Sequence, residues 1–124
     1  MARREWSNPL INIMTIEGHK AVIAYDDEIG LFRGEFSGLN GGADFYAEDV
    51  ENLRKEGEIS LREFLAVCKE KGIEPYKHYS GRFNLRLEPA LHAEIAAFAN
   101  AENLSLNEWV IKRLKTDIQQ LDNK

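Results

Sequence analysis

Three groups of residues in this 124-residue chain have types and spacings that suit chemistry. The first is Arg82-Phe83-Asn84-Leu85-Arg86-Leu87, in which Arg82, Asn84 and Arg86 alternate with three apolar side chains. On a strand this pattern puts one guanidinium, one amide and a second guanidinium on one face. Arginine bonds O6 and N7 of guanine in bidentate fashion, asparagine does the same for N6 and N7 of adenine, and a two-stranded ribbon fits the major groove. Ser105-Leu106-Asn107-Glu108 adds a capping box. A helix that starts there presents free N–H groups and the positive end of its dipole, which suits a phosphate.

The second group is acidic: Asp26, Asp27, Glu28, Glu35, Asp44 and Glu48. A metal-dependent nuclease needs several carboxylates converging on two ions. These fall in a turn, on a strand and in loops, without the strand-borne constellation such a site requires. Taken singly, each serves to keep a small domain solvated. Collectively they suit a basic protein partner, since charge complementarity speeds encounter and selects partners. The third group is scattered: His19, His78 and His92 show no metal-ligand spacing. Cys68 lies on an apolar helical stripe with no adjacent base to activate it, as expected of a small core residue. No catalytic residue, metal or cofactor is expected.

The elements that must position these groups divide the chain in two. Ile23 and Tyr25, then Phe32 and Phe36 beyond the polar turn Asp26–Gly30, read as a hairpin; Ala43-Asp44-Phe45-Tyr46 reads as a third short strand. From Val50 the period lengthens, and Val50, Leu53, Gly57, Leu61, Phe64, Leu65 and Cys68 mark one helix face. Asp49 is the expected N-cap and Gly72 the expected C-terminal stop, with Gly57 allowing close approach to a sheet. Gly72 to Lys77 reads as a linker, with a further strand as an option there. Pro89 then opens a helix carrying Leu91, Ile95, Phe98 and Ala99, Asn103 ends it, and Trp109, Val110, Leu114, Ile118 and Leu121 follow on a second. A single strand with two short helices leaves both strand edges unpaired and three apolar strand residues uncovered, so this unit calls for a symmetric dimer, with Trp109 in its core.

The balance of 16 basic and 21 acidic residues argues against wholesale nucleic-acid coating. The excess is local: residues 1–80 hold 10 basic and 15 acidic side chains, whereas residues 81–124 hold 6 of each. No run supplies the ~20 apolar residues of a membrane helix. The start Met1-Ala2-Arg3-Arg4-Glu5 lacks a signal-peptide pattern, and one cysteine suits a reducing compartment. A cytoplasmic protein is the expectation.

Residues 81–121 resemble a ribbon-helix-helix DNA-binding domain. Arg82, Asn84 and Arg86 match its base-reading positions, and Asn103–Val110 match the turn and helix start whose amides, at Ser105, Leu106 and Asn107, clamp a phosphate. Asn103 stands where most members carry Gly. The runs Ile16–Tyr25, Phe32–Leu39, Asp49–Leu53 and Phe64–Pro75 are similar to HicB-family antitoxins; the usual Phe-Glu-Gly before the helix is replaced by Phe45-Tyr46-Ala47. The resemblance implies an α+β chain: a degenerate RNase H-like β-β-β-α(-β) domain over residues 14–75, binding toxin through the acidic set, and a DNA-binding module over 81–121. It implies an antitoxin that sequesters a HicA-like ribonuclease toxin and represses its own operon by binding double-stranded operator DNA as a homodimer or higher oligomer. The alternative is a stand-alone transcriptional regulator whose N-terminal domain senses a ligand or another protein.

Overall fold

The computed structural model describes residues 12–122. The expectation drawn from Met1–Glu5 lies outside that range. The described residues fall in two compact units, one running to Ser80 and the other beginning at Gly81. Strands β1 (Ile13–Ile16), β2 (His19–Asp26), β3 (Leu31–Phe36) and β4 (Phe45–Ala47) precede helices α1 (Val50–Lys71), α2 (Pro89–Ala101) and α3 (Leu106–Asp122), giving an α+β chain.

In the first unit the four strands form an antiparallel sheet in the order β1-β2-β3-β4. Four strands replace the three expected. β1 is only four residues long, too short for its alternation to stand out, and it owes its place to the turn at Glu17 (φ 49°) and Gly18 (φ 82°). Two successive positive φ angles mark the type I′ hairpin turn, whose twist matches the flanking strands. The register then sets Met14 opposite Ala21 and Ala21 opposite Phe36.

Helix α1 packs across the sheet, approaching β1, β3 and β4 most closely, and Ala21 of β2 is buried in the same core as Leu53 and Leu61. Its ends follow the expected chemistry. The Asp49 carboxylate accepts the Asn52 backbone N–H at 2.8 Å, and Gly72 (φ 68°) closes the helix while the Ile73 N–H donates to Cys68 O. Leu53, Gly57, Leu61 and Cys68 are buried, Phe64 and Leu65 partly so, against Met14, Ile16, Phe36 and Phe45. Val50 departs from this stripe and is 56% exposed, because the helix begins beyond the edge of the core. Gly57 is required: a Cβ there runs into Ile16 and the Phe45 ring, and a Cβ at Gly34 meets the same ring from the sheet side.

The segment read as a linker is held to this unit. Tyr76 bridges buried Leu39, the Asn40 N–H donates to Pro75 O, the Lys77 N–H donates to Gly38 O, and the Asn40 amide donates to the carbonyls of Glu74 and Tyr76. One bridge forms where a further strand was the option. His19 stacks on Tyr76 with ring centroids 5.3 Å apart.

The second unit contains α2 and α3, with residues 82–88 in neither helix nor sheet. Pro89 occupies the first turn of α2, and Asn103 (φ 61°) takes the left-handed conformation that ends it. Ala99 is the only buried residue of this unit among those described.

Candidate functional site

In the second unit the capping box forms reciprocally. The Ser105 hydroxyl accepts the Glu108 N–H at 3.0 Å, and the Ser105 N–H donates to the Glu108 carboxylate at 2.8 Å. These hydrogen bonds hold the Glu108 carboxyl below its ordinary range, so it is ionised at neutral pH. Ser105 is therefore engaged by its own helix. The N–H groups that α-helix geometry leaves without an intrahelical partner on the first turn are those of Leu106 and Asn107.

The angle between α2 and α3 is set by a small network around Trp109. Its ring stacks on Phe98 with centroids 6.3 Å apart, Arg113 lies over its face at 5.6 Å, and its indole N–H donates to Glu102 at 3.1 Å. Lys112 pairs with the same carboxylate at 3.0 Å, and its hydrogen bond is the largest cause of the lowered Glu102 pKa. Trp109 is thus half-buried within its own chain, and Phe98 remains exposed.

Arg82, Asn84 and Arg86 are all exposed, and so are the alternating Phe83 (78%) and Leu85 (61%). Segment 81–87 borders an open groove of about 710 Å³ whose other wall includes Leu106, Val110, Ile111 and Leu114. Arg82 and Asn84 also line it, whereas Arg86 does not. The groove's walls are largely apolar; Phe83, Leu85, Leu87, Val110 and Leu114 among them are residues the periodicity marked for burial, whereas Leu106 and Ile111 are not. A single chain leaves them uncovered.

In the first unit the acidic set separates into two groups. Asp26 pairs with Leu31, and Phe32 with Ala47, so Asp26, Asp27, Glu28 and Glu48 come to the same end of the sheet. The Asp26 side chain accepts the Glu28 N–H at 3.0 Å and shapes that turn. Glu35 and Asp44 instead flank Arg33 on the sheet face away from α1. Hydrogen bonding to Asp44 is the largest cause raising the Arg33 pKa above its already high value. This Arg33 node was not legible in the sequence, because β3 and the loop before β4 meet only through the sheet register.

No three His, Cys, Asp or Glu side chains gather as a metal site among the described residues, and no helix there is long and apolar enough to cross a membrane. The geometry defines a two-unit α+β protein whose prominent features are uncovered apolar faces bordered by charged side chains. A family model, the HicB family, matches residues 64–114, from the last two turns of α1 through α2 into α3. The match covers 51 of the 124 residues, and this stretch is similar to the HicB family. No curated protein and no solved structure matches the chain.

Proposed function

We propose that this protein is the antitoxin of a toxin–antitoxin pair, sequestering a HicA-like mRNA-cleaving toxin through its first unit and repressing its own operon through its second. The observation that carries this reading is the uncovered second unit, in which Phe83 and Leu85 stand exposed beside an apolar groove and, among the described residues, only Ala99 is buried. A second copy offers the economical cover. Residues 82–88 of two chains pair antiparallel, Phe83, Leu85 and Leu87 turn onto the four helices, and Arg82, Asn84 and Arg86 form the outer face of a two-stranded ribbon. This is the ribbon-helix-helix arrangement, and such a ribbon fits the major groove. Leu106 and Asn107 offer their first-turn amides to a backbone phosphate, with Ser105 and Glu108 holding the helix start in shape.

The first unit, with its four-stranded sheet and single helix, is read as the degenerate RNase H-like domain. Its acidic surface supports the reading as the part that covers a basic ribonuclease. Two measurements test the proposal on the full-length protein. A gel-shift titration against the DNA upstream of its gene is expected to give a specific complex, and co-expression with the adjacent gene product is expected to relieve that product's toxicity. Failure of the first removes the repressor role, and failure of the second removes the antitoxin role.

A further inference from the structure

The first unit leaves one end of its sheet uncovered on the side that α1 packs. Tyr25 and Phe32 are register partners with ring centroids 5.1 Å apart, edge to face. Phe32 packs against the core, whereas Tyr25 is 56% exposed, although Ala21 on the same face of β2 is fully buried. Ile29, in the turn that joins β2 to β3, is 54% exposed, an apolar side chain in a turn that is otherwise polar or glycine. Val50 lies exposed on the first turn of α1, three residues beyond the Ala47 that pairs with Phe32.

Around these apolar groups negative charge predominates, with Lys55 near Asp49 as a neighbouring cation. Residues 25–32 and 47–53 together hold Asp26, Asp27, Glu28, Glu48, Asp49 and Glu51 and no lysine or arginine. Glu48, Asp49 and Glu51 are accounted for locally, since carboxylates at a helix N-terminus are favourable and Asp49 caps α1. That account reaches neither Asp26, Asp27 and Glu28 nor the exposure of Tyr25 and Ile29. The sheet face away from α1 also exposes apolar groups, Ile13, Val22 and Tyr46, but it carries Lys20 and Arg33, and Arg33 is already engaged by Glu35 and Asp44.

We infer that the docking centre for the protein partner is this end of the sheet, with Tyr25 and Ile29 as apolar anchors inside an acidic rim. The occupant is a basic protein whose contact face surrounds an apolar patch with lysine and arginine. An apolar centre with a charged rim is the ordinary anatomy of a protein interface, in which a few aromatic or large apolar side chains carry most of the affinity and the rim sets the association rate. The inference rests on the antitoxin reading and narrows it, because it transfers the role from Glu35 and Asp44 to the opposite end of the acidic set.

The test uses the full-length protein and the purified product of the adjacent gene. Ile29→Ser and Asp27→Lys change exposed turn positions without touching the core, and Tyr25→Ser removes the aromatic anchor; Tyr46→Ser and Glu35→Gln probe the other face. The expected result is that Tyr25→Ser and Ile29→Ser weaken binding at least about 30-fold. Asp27→Lys is expected to slow association, with the effect shrinking as salt rises. Tyr46→Ser and Glu35→Gln are expected to stay within about 3-fold of the parent. If Ile29→Ser and Asp27→Lys bind as the parent does, or if only Tyr46→Ser and Glu35→Gln lose binding, the docking centre is overturned while the antitoxin reading stands. If the parent protein itself does not bind, both fall.

Discussion

Replacing Leu85 by alanine separates a strand that a second copy covers from one that stays in water. Leu85 is 61% exposed in the single chain. Burying a whole leucine side chain is worth ~1.5–3 kcal/mol, so covering the exposed part contributes about 1–2 kcal/mol per copy. The cavity left behind raises the loss to ~2–3 kcal/mol per copy, at the lower end of measured Leu→Ala costs. A symmetric dimer contains the residue twice, so the L85A dimer is expected to be about 4–6 kcal/mol weaker, a factor of ~10³–10⁴ in its dissociation constant. If the strand stays solvated, the same change is expected to fall within about ±0.5 kcal/mol. Sedimentation equilibrium across a range of protein concentrations measures the constant directly. Thermal unfolding gives a second readout, because the midpoint of a dimer rises with concentration. An L85A dimer constant within about 3-fold of the parent value would refute the argument that residues 82–88 are buried against another chain.

Three further expectations follow from the same geometry. Arg82→Ala or Arg86→Ala is expected to cost ~1–3 kcal/mol of specific operator binding, read by gel shift; unchanged affinity would remove the residue from base recognition. Gly57→Ala sets a helix-propensity gain of ~1 kcal/mol against overpacking of about 1–3 kcal/mol. The Cβ meets both Ile16 and Phe45, so overpacking is expected to win and chemical denaturation should show net destabilisation. Ser105→Ala is expected to cost ~1 kcal/mol of stability by removing the cap. The Glu108 carboxyl is lowered by its bonds to Ser105, so its contribution is present above the ordinary carboxyl value of 4.5 and is lost as pH falls through the lowered one. In S105A that acid-side loss should shrink, and a pH series of melting curves identical to the parent would contradict the assignment.

Local chemistry was legible in the residues wherever it depends on neighbours in the chain. Asp49, Gly72, Pro89, Asn103 and the Ser105–Glu108 box sit where a first reading puts them, because a cap is satisfied within three or four residues. The stripe from Leu53 to Cys68 was equally legible, since helical period alone selects the buried face. Contacts between distant segments were not. β1 is too short to declare itself, the Leu39–Tyr76 bridge joins residues 37 positions apart, and Arg33 finds Asp44 only through the β3–β4 register.

The candidate surfaces divide along the same line. By itself the sequence determined the alternation of Arg82, Asn84 and Arg86 with Phe83, Leu85 and Leu87, and the concentration of negative charge before residue 81, because both are properties of order and composition. Only the tertiary structure decided which acids stand together. Six carboxylates that look equivalent along the chain are sorted by strand register into four at one end of the sheet and two beside Arg33. It also decided that Tyr25 stays exposed while Ala21, on the same face of β2, is buried. Period and composition carry no information about distance between segments, and it is that distance which fixes where a partner can bind.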